Sequence, residues 1–237
     1  MIAVVSSCVA PSTLPSHDGA RTTLSPEVRL EHTRDTIDAL LALGVKDILI
    51  ADNSAGTWLI DRAADLAPAR LFPFTQPPFC NKGVGEMWLL LGMLPHLPDN
   101  EPIMKISGRY RVGPATELKL REGDDVAGKV YRHGRVLSLS TRCYLIRNRA
   151  VAQRLWMRTL DEMYAEHARV HGPRSLWRMA KDSLFPARDL FRYADPDSAV
   201  ETAIHHAIRR LPLRLNAVEF LDVQGILGSW INPEVKE

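Results

Sequence analysis

The stretch EPIMKISGRYRV, Glu101 to Val112, sets the reading of the whole chain. Ile103, Met104 and Ile106 form a short apolar run, which predicts a buried strand. The run stops at Ser107-Gly108 and then presents Arg109 and Tyr110. A buried strand that ends at glycine and delivers polar side chains is how an α/β sheet furnishes a cleft at its carboxyl edge. Lys105 lies inside the apolar run. A lysine there needs an anionic partner, because an unpaired buried ammonium costs several kcal/mol or loses its proton.

Upstream, Ile2 to Ser6 is β-branched and predicts a first strand buried on both faces. A long loop follows, Ser7 to Leu24, of the length that more often carries function than not. Ser25-Pro26-Glu27 starts a helix by capping, by proline at the first position and by an acid at the positive end of the dipole. Gly44 stops it, and Val45 to Ala51 is the second strand. Thr57 to Leu66 reads as a short helix, Arg70 to Phe74 as a third strand, and Gln76-Pro77-Pro78 as a turn. A strongly apolar helix then runs from NKGVGE, Asn81 to Glu86, to Leu94. Strands alternating with helices, under the right-handed crossover rule, predict a mostly parallel sheet in a three-layer α/β domain.

Downstream the pattern changes. Asp124 to Tyr131 and Val136 to Ile146 predict a hairpin added to the sheet, turning at His133-Gly134. Ala150 to His171 is an amphipathic helix, broken by Gly172-Pro173. A basic, aromatic helix spans Ser175 to Arg192, and Asp195-Pro196-Asp197-Ser198 caps another over Ala199 to Leu211. Val218 to Trp230 reads as a strand and a glycine-containing turn. The fold class is α/β: one Rossmann-like three-layer domain with an added hairpin and C-terminal helices.

Composition narrows the function. Among 237 residues, 46% hydrophobic content is enough for a substantial core. A net charge of +2 argues against a general nucleic-acid binder. Cys8, Cys80 and Cys143 are odd in number and show no metal-ligand spacing, which suits free thiols in a reducing cytosol. The first residues lack a basic leader, and no apolar run is long enough to span a membrane. The expected location is the cytoplasm.

Several groups carry candidate chemistry, each beside a plainer reading. Asp52-Asn53-Ser54 ends the second strand, where acids take ribose hydroxyls; the same residues suit a helix cap. Lys82, Gly83 and Gly85 at a helix start suit a phosphate, although neither GxxxxGK[ST] nor GxGxxG is present. Lys105, Arg109, Tyr110 and Arg111 suit a diphosphate and a stacked base or sugar; a structural ion pair and solvated arginines are the alternative. Ser138, Ser140, Thr141 and Arg142 would line an acceptor pocket or simply alternate on a half-exposed strand. Asp195-Pro196-Asp197 has the letters of a metal-binding DxD but precedes a helix, so capping is preferred. Glu201 and His205 share a helix face and suit a general base or a surface ion pair.

Taken together, ILIADNSAG, NKGVGE, IMKISGRY and the late ETAIHHAI helix resemble bacterial nucleotide-sugar glycosyltransferases of the GT-A fold, the cell-surface polysaccharide type. The resemblance covers most of the chain in element order. It implies a nucleotide-binding half, residues 1–112, and an acceptor-side half, residues 113–237. Ser6, Ser7, Asp52 and Asn53 would then meet the nucleotide, with Lys82, Gly83, Glu86 and Tyr110 lining the donor pocket. Lys105 and Arg109 would stabilise the leaving phosphate, Glu201 would act as catalytic base, and Ser140, Arg142 and His205 would face the acceptor. Most GT-A enzymes hold Mg²⁺ or Mn²⁺ with DxD, whereas this strand end is cationic, so no metal ligand carries over and a CMP-linked donor is conceivable. The implied partners are a nucleotide-sugar donor and a glycan acceptor of lipopolysaccharide or capsule, without nucleic acid.

Two rivals stand beside this. A sugar nucleotidyltransferase on a similar sheet usually has a Gly-rich, basic loop after the first strand; here Cys8 to Leu24 offers only Gly19 and Arg21. A non-catalytic module of a polysaccharide assembly complex would dock through Leu176 to Arg192, against a partner or peripherally on the inner membrane.

Overall fold

The computed structural model describes residues 1–11, 24–76, 79, 81–168, 173, 177, 199–226 and 234–236. The strand of the KISGRY run, β4 (Ile103–Ser107), lies at the centre of a seven-stranded sheet ordered β3-β2-β1-β4-β7-β6-β8. Here β1 is Ile2–Ser7, β2 Asp47–Asp52, β3 Arg70–Pro73, β6 Val126–His133, β7 Val136–Ile146 and β8 Leu215–Val218. β1 pairs in parallel with β2 on one side and β4 on the other, so Val4 stands between Leu49 and Lys105. β3 is parallel to β2, β7 is antiparallel to β4 and β6, and β6 is parallel to β8. Only β7 therefore runs against the rest.

The predicted hairpin is β6–β7, with His133 opposite Val136 and Gly134 at φ 60°, a left-handed turn position suited to glycine. It joins the sheet by its second strand, which inserts next to β4.

Alternation along the strands builds two cores. Ile2, Val4, Leu49 and Ile103 face α2 (Lys82–Met93), α3 (Arg149–Ala168) and α4 (Val200–Arg210), packing with Met87, Leu90, Trp156 and Ile204. Ala3, Val5, Ile50, Met104 and Ile106 face α1 (Pro26–Ala42), packing with Leu30, Ile37 and Leu40. Each fully buried aliphatic side chain contributes about 1.5–3 kcal/mol. Two large polar tips in the first core satisfy each other, since Trp156 Nε1 donates to Tyr144 Oη at 3.0 Å. On the second, burial pushes the Cys143 thiol up to about 12, so it stays protonated and inert.

A second sheet braces the end of the central strand. After Gly108-Arg109 the chain resumes as β5 (Tyr110–Val112), antiparallel to β9 (Val223–Ile226), which pairs with β10 (Glu234–Lys236). Gly225 sits opposite Tyr110, and a Cβ there would lie 2.3 Å from the Arg109 carbonyl oxygen.

Three sequence expectations change. The short helix at 57–66 is a 3₁₀ segment, Ile60–Leu66, with a non-helical Arg62 inside it. The tail expected from Val218 as a strand and a glycine-containing turn begins at the last residue of β8 and then supplies β9, which belongs to a different sheet. α4 takes Ala199 as N-cap, without a side-chain cap. The Asp195 to Ser198 cap, Cys80, the Pro77-Pro78 turn, the loop over residues 12–23 and most of the basic helix over 175–192 lie outside the described residues. Among the described residues, no helix is long and apolar enough to cross a membrane.

Candidate active site

Strand order locates the site. From β1 the chain moves outward to β2 and β3, then returns to the other side of β1 for β4. Connections leaving in opposite directions open a crevice between the carboxyl ends of β1 and β4, which is where open α/β sheets bind ligands. A cleft of about 530 Å³ lies there, bordered by Ser6 and Ser7 of β1 and Ser107 of β4. That volume suits a small-molecule ligand.

The floor holds the buried lysine. Lys105 is fully buried, and its Nζ lies 2.5 Å from Glu86 Oε1. It also donates to Ser107 Oγ at 3.0 Å and to the Thr141 carbonyl. The three N–H groups of an ammonium are thus all committed. Glu86 Oε1 accepts from Ser6 Oγ at 2.7 Å as well. One ion pair thereby fixes the hydroxyls at both strand ends and ties β1, α2, β4 and β7 together. The anionic partner that the sequence demanded is Glu86. The expected role of Lys105 changes: it lies beneath the cleft with no N–H left for a phosphate.

One wall is cationic. Arg109 follows Gly108, whose backbone is pinned by Gly108 N–H donating to Ser6 O at 2.8 Å. The space beside it is tight, since a Cβ would approach Val5 Cγ1 at 3.2 Å and Thr33 Oγ1 at 3.3 Å and those side chains would have to give by a few tenths of an ångström. Arg29, from the first turn of α1, lines the same cleft and donates from Nε to the Cys8 carbonyl at 2.8 Å. Burial, and then the neighbouring Arg109 charge, draws the Arg29 pKa below its ordinary value.

At the β2 end, Asp52 is buried and does not line the cleft. Its carboxylate accepts from Val9 N–H at 3.0 Å and Ser54 N–H at 2.7 Å, stitching the loops after β1 and β2. Asn53 beside it does line the cleft.

The opposite wall comes from α2, α4 and β7. Asn81 caps α2, accepting from Gly83 N–H at 2.8 Å, so Lys82 and Gly83 meet the cleft at a helix N-terminus. Gly83 also lets α4 approach: a Cβ would lie 2.7 Å from Val200 Cβ. This contact brings Glu201 to the rim, where its Oε1 accepts from Thr141 Oγ1 at 3.2 Å. Arg142 lines the cleft and stacks over the Tyr110 ring at 5.7 Å. Tyr131 reaches Arg142 through its hydroxyl at 3.5 Å, and burial raises the Tyr131 pKa.

Of the residues predicted from sequence, Ser6, Ser7, Asn53, Lys82, Gly83, Glu86, Arg109, Tyr110, Arg142 and Glu201 line one cleft. Asp52, Lys105, Ser140 and His205 are buried outside the lining. His205 faces the packing between α4 and its neighbours, where burial and then His206 and Arg209 lower its pKa. Arg29, Thr33, Gln76 and Asn81 also line the cleft and were not singled out from sequence. For Arg29 and Thr33 a signal existed: Arg29, Thr33 and Thr36 form a polar stripe at helical spacing, all buried. The end of β4 presents Ser107 and Arg109 to the cleft, and a hydroxyl beside a guanidinium does not fit a divalent cation. Among the described residues, no group of three His, Cys, Asp or Glu side chains is placed to hold a metal ion.

No protein-family model matches the chain, and no curated protein sequence matches it. Among solved structures, a nucleoside-diphosphate-sugar pyrophosphorylase from Vibrio cholerae RC9 is similar with a TM-score of 0.47 and 12% identity, over 92% of this chain and 91% of that one. HddC from Yersinia pseudotuberculosis complexed with GMP-PN is similar with a TM-score of 0.39 and 11% identity, over 65% of this chain and 79% of that one. At these levels of likeness neither protein's activity transfers to this chain.

Proposed function

We propose that the cleft binds a nucleotide-activated sugar and that the protein transfers its glycosyl group to a hydroxyl of a growing cell-surface glycan. The observation that carries this is a carboxylate, Glu201, on one wall of a cleft whose other wall presents the Arg109 guanidinium. The acceptor O–H loses its proton to Glu201 as the oxygen forms its bond to the anomeric carbon. The bond from that carbon to the phosphate oxygen breaks, and Arg109 stabilises the departing phosphate. Ser6 and Ser107, held by Glu86 and Lys105, orient the donor above the floor. The GT-A resemblance of the KISGRY and NKGVGE segments supports the same reading.

Nucleotidyl transfer uses the same crevice differently. Its nucleophile is a sugar phosphate, already ionised, which needs no base. A rim carboxylate that among the described residues accepts from one threonine hydroxyl therefore favours a hydroxyl acceptor. The test is a panel of nucleotide sugars offered with glycan acceptors, reading nucleotide release by chromatography, beside nucleoside triphosphates offered with sugar 1-phosphates, reading pyrophosphate. Nucleotide release is expected, and Glu201→Gln should lower kcat by about 10²–10⁴ with donor KM little changed. Pyrophosphate release alone, or Glu201→Gln at the wild-type rate, would overturn the reading.

A further inference from the structure

We propose that the face of β6 carrying Lys129, Tyr131 and His133 continues the cleft as a binding track for a glycan acceptor built of acidic sugars. The inference rests on the reading of the cleft as a transfer site, and it names the class of the acceptor. Strand pairing shows where the track lies. β4 pairs with β7 only from Ile103–Ile146 to Ile106–Cys143, and β8 pairs with β6 only as far as Lys129. Beyond that, among the described residues, Val130–His133 and Val136–Leu139 pair with each other alone. β7 runs against β4, so this two-stranded ribbon stands past the carboxyl end of β4, the edge that holds the cleft.

The ribbon is tied to the site. Val130 lies two residues beyond Gly128 in β6, but their partners, Leu139 and Tyr144, are five apart in β7. β7 therefore bulges there, and the bulge sends Thr141 and Arg142 to the cleft lining. Tyr131 stands opposite Ser138, so the two share a face. Ser138 Oγ lies 3.0 Å from the hydroxyl of Thr202, the neighbour in sequence of Glu201. Arg142 Nη1 donates to Tyr131 Oη at 3.5 Å, and the Glu201 charge acts on the same hydroxyl. The track thus runs up to both Glu201 and Arg142.

Its chemistry suits a chain of anions. Lys129 Nζ lies over the Tyr131 ring at 5.6 Å, and the His133 ring stacks beside Tyr131 at 6.4 Å. Lys129 to His133 covers about 13 Å at the rise of a strand, which is longer than one sugar ring. From Val126 to Ile146 the hairpin carries Lys129, Arg132, Arg135 and Arg142 and neither Asp nor Glu. Among the described residues, Lys129, Arg132 and Arg135 form no ion pair. Carboxylates along a chain of acidic sugars pair with such cations, and the flat rings between them offer apolar faces to the sugars. A membrane surface would instead meet the ribbon tip from both faces, Arg132 included, which alternation places on the face away from Tyr131.

The test is calorimetric titration of the whole chain with oligogalacturonate and with a maltooligosaccharide of equal length, beside sedimentation with phosphatidylglycerol vesicles. Oligogalacturonate is expected to bind and the neutral chain not to. Lys129→Gln should weaken oligogalacturonate binding by about threefold to fivefold, and Lys129→Gln with Tyr131→Phe by about tenfold, at an unchanged melting temperature. Arg132→Gln, the same loss of charge on the opposite face, should change it by less than about twofold. Should the double variant melt early, Lys129→Gln alone decides. Wild-type affinity in Lys129→Gln, equal binding of the two oligosaccharides, an Arg132→Gln effect as large as that of Lys129→Gln, or vesicle binding that Lys129→Gln weakens equally would overturn the track. If oligogalacturonate binds as expected and no nucleotide sugar is turned over, the track stands and the transfer reading falls. If transfer occurs and oligogalacturonate does not bind, the transfer reading stands and the track falls.

Discussion

Lys105→Met is expected to lower the unfolding free energy by about 3 kcal/mol, the lower end of what breaking a buried ion pair costs. The lower end applies because the Glu86 side chain keeps 18% of its exposure, while Lys105 keeps none. Methionine fills a similar volume, so the loss comes from Glu86 left without its countercharge and the Thr141 carbonyl left without its donor, not from a cavity. Turnover should fall with stability, because Ser6 and Ser107 lose the pair that orients them. A urea melt reads the first effect. A midpoint equal to wild type would show that the pair contributes nothing net. Replacing Glu86 by leucine in the same chain should restore part of the stability and none of the turnover, since Glu86 also holds Ser6.

Arg109→Ala is expected to do the opposite. Its guanidinium has no carboxylate partner among the described residues and lies over the Tyr110 ring, so the melting temperature should change little. kcat should fall by about 10²–10³, the loss seen when one preorganised donor to a developing charge is removed. Arg109→Lys should recover only part of this, because an ammonium restores the charge but not the planar fork. Steady-state kinetics beside a melting curve checks both halves. Near wild-type transfer by Arg109→Ala would sink the assignment of this turn to the leaving phosphate.

The fold was legible wherever local pattern decides it. The apolar runs of β1, β2 and β4, the Ser25-Pro26 helix start and the β6–β7 hairpin all carry short-range signals. What the chain does not advertise is pairing at long separation. Nothing local says that the hairpin inserts by β7, or that Val223–Ile226 leaves the main sheet to brace β5. The site divides along the same line. Lys105 declared that it needed an acid, but which acid depends on α2 crossing over β4. Arg29 drew no reading of its own, because its carbonyl partner, Cys8, is twenty-one positions away and belongs to another element. Asp52 has the position of a ligand-binding acid, yet its oxygens go to backbone N–H groups that no side-chain pattern records.

The close approach of Gly225 to the Arg109 carbonyl has a consequence for mutational screens. Any side chain at position 225 must push β9 away from the turn that carries Arg109, or bend that turn. The displaced group is backbone, so no rotamer change relieves it. A residue that touches no substrate, lies outside the cleft lining and has no chemistry of its own thus belongs with the loss-of-activity variants. In a saturation library, position 225 should tolerate glycine alone, and its profile should track that of Arg109 more closely than those of its own strand neighbours.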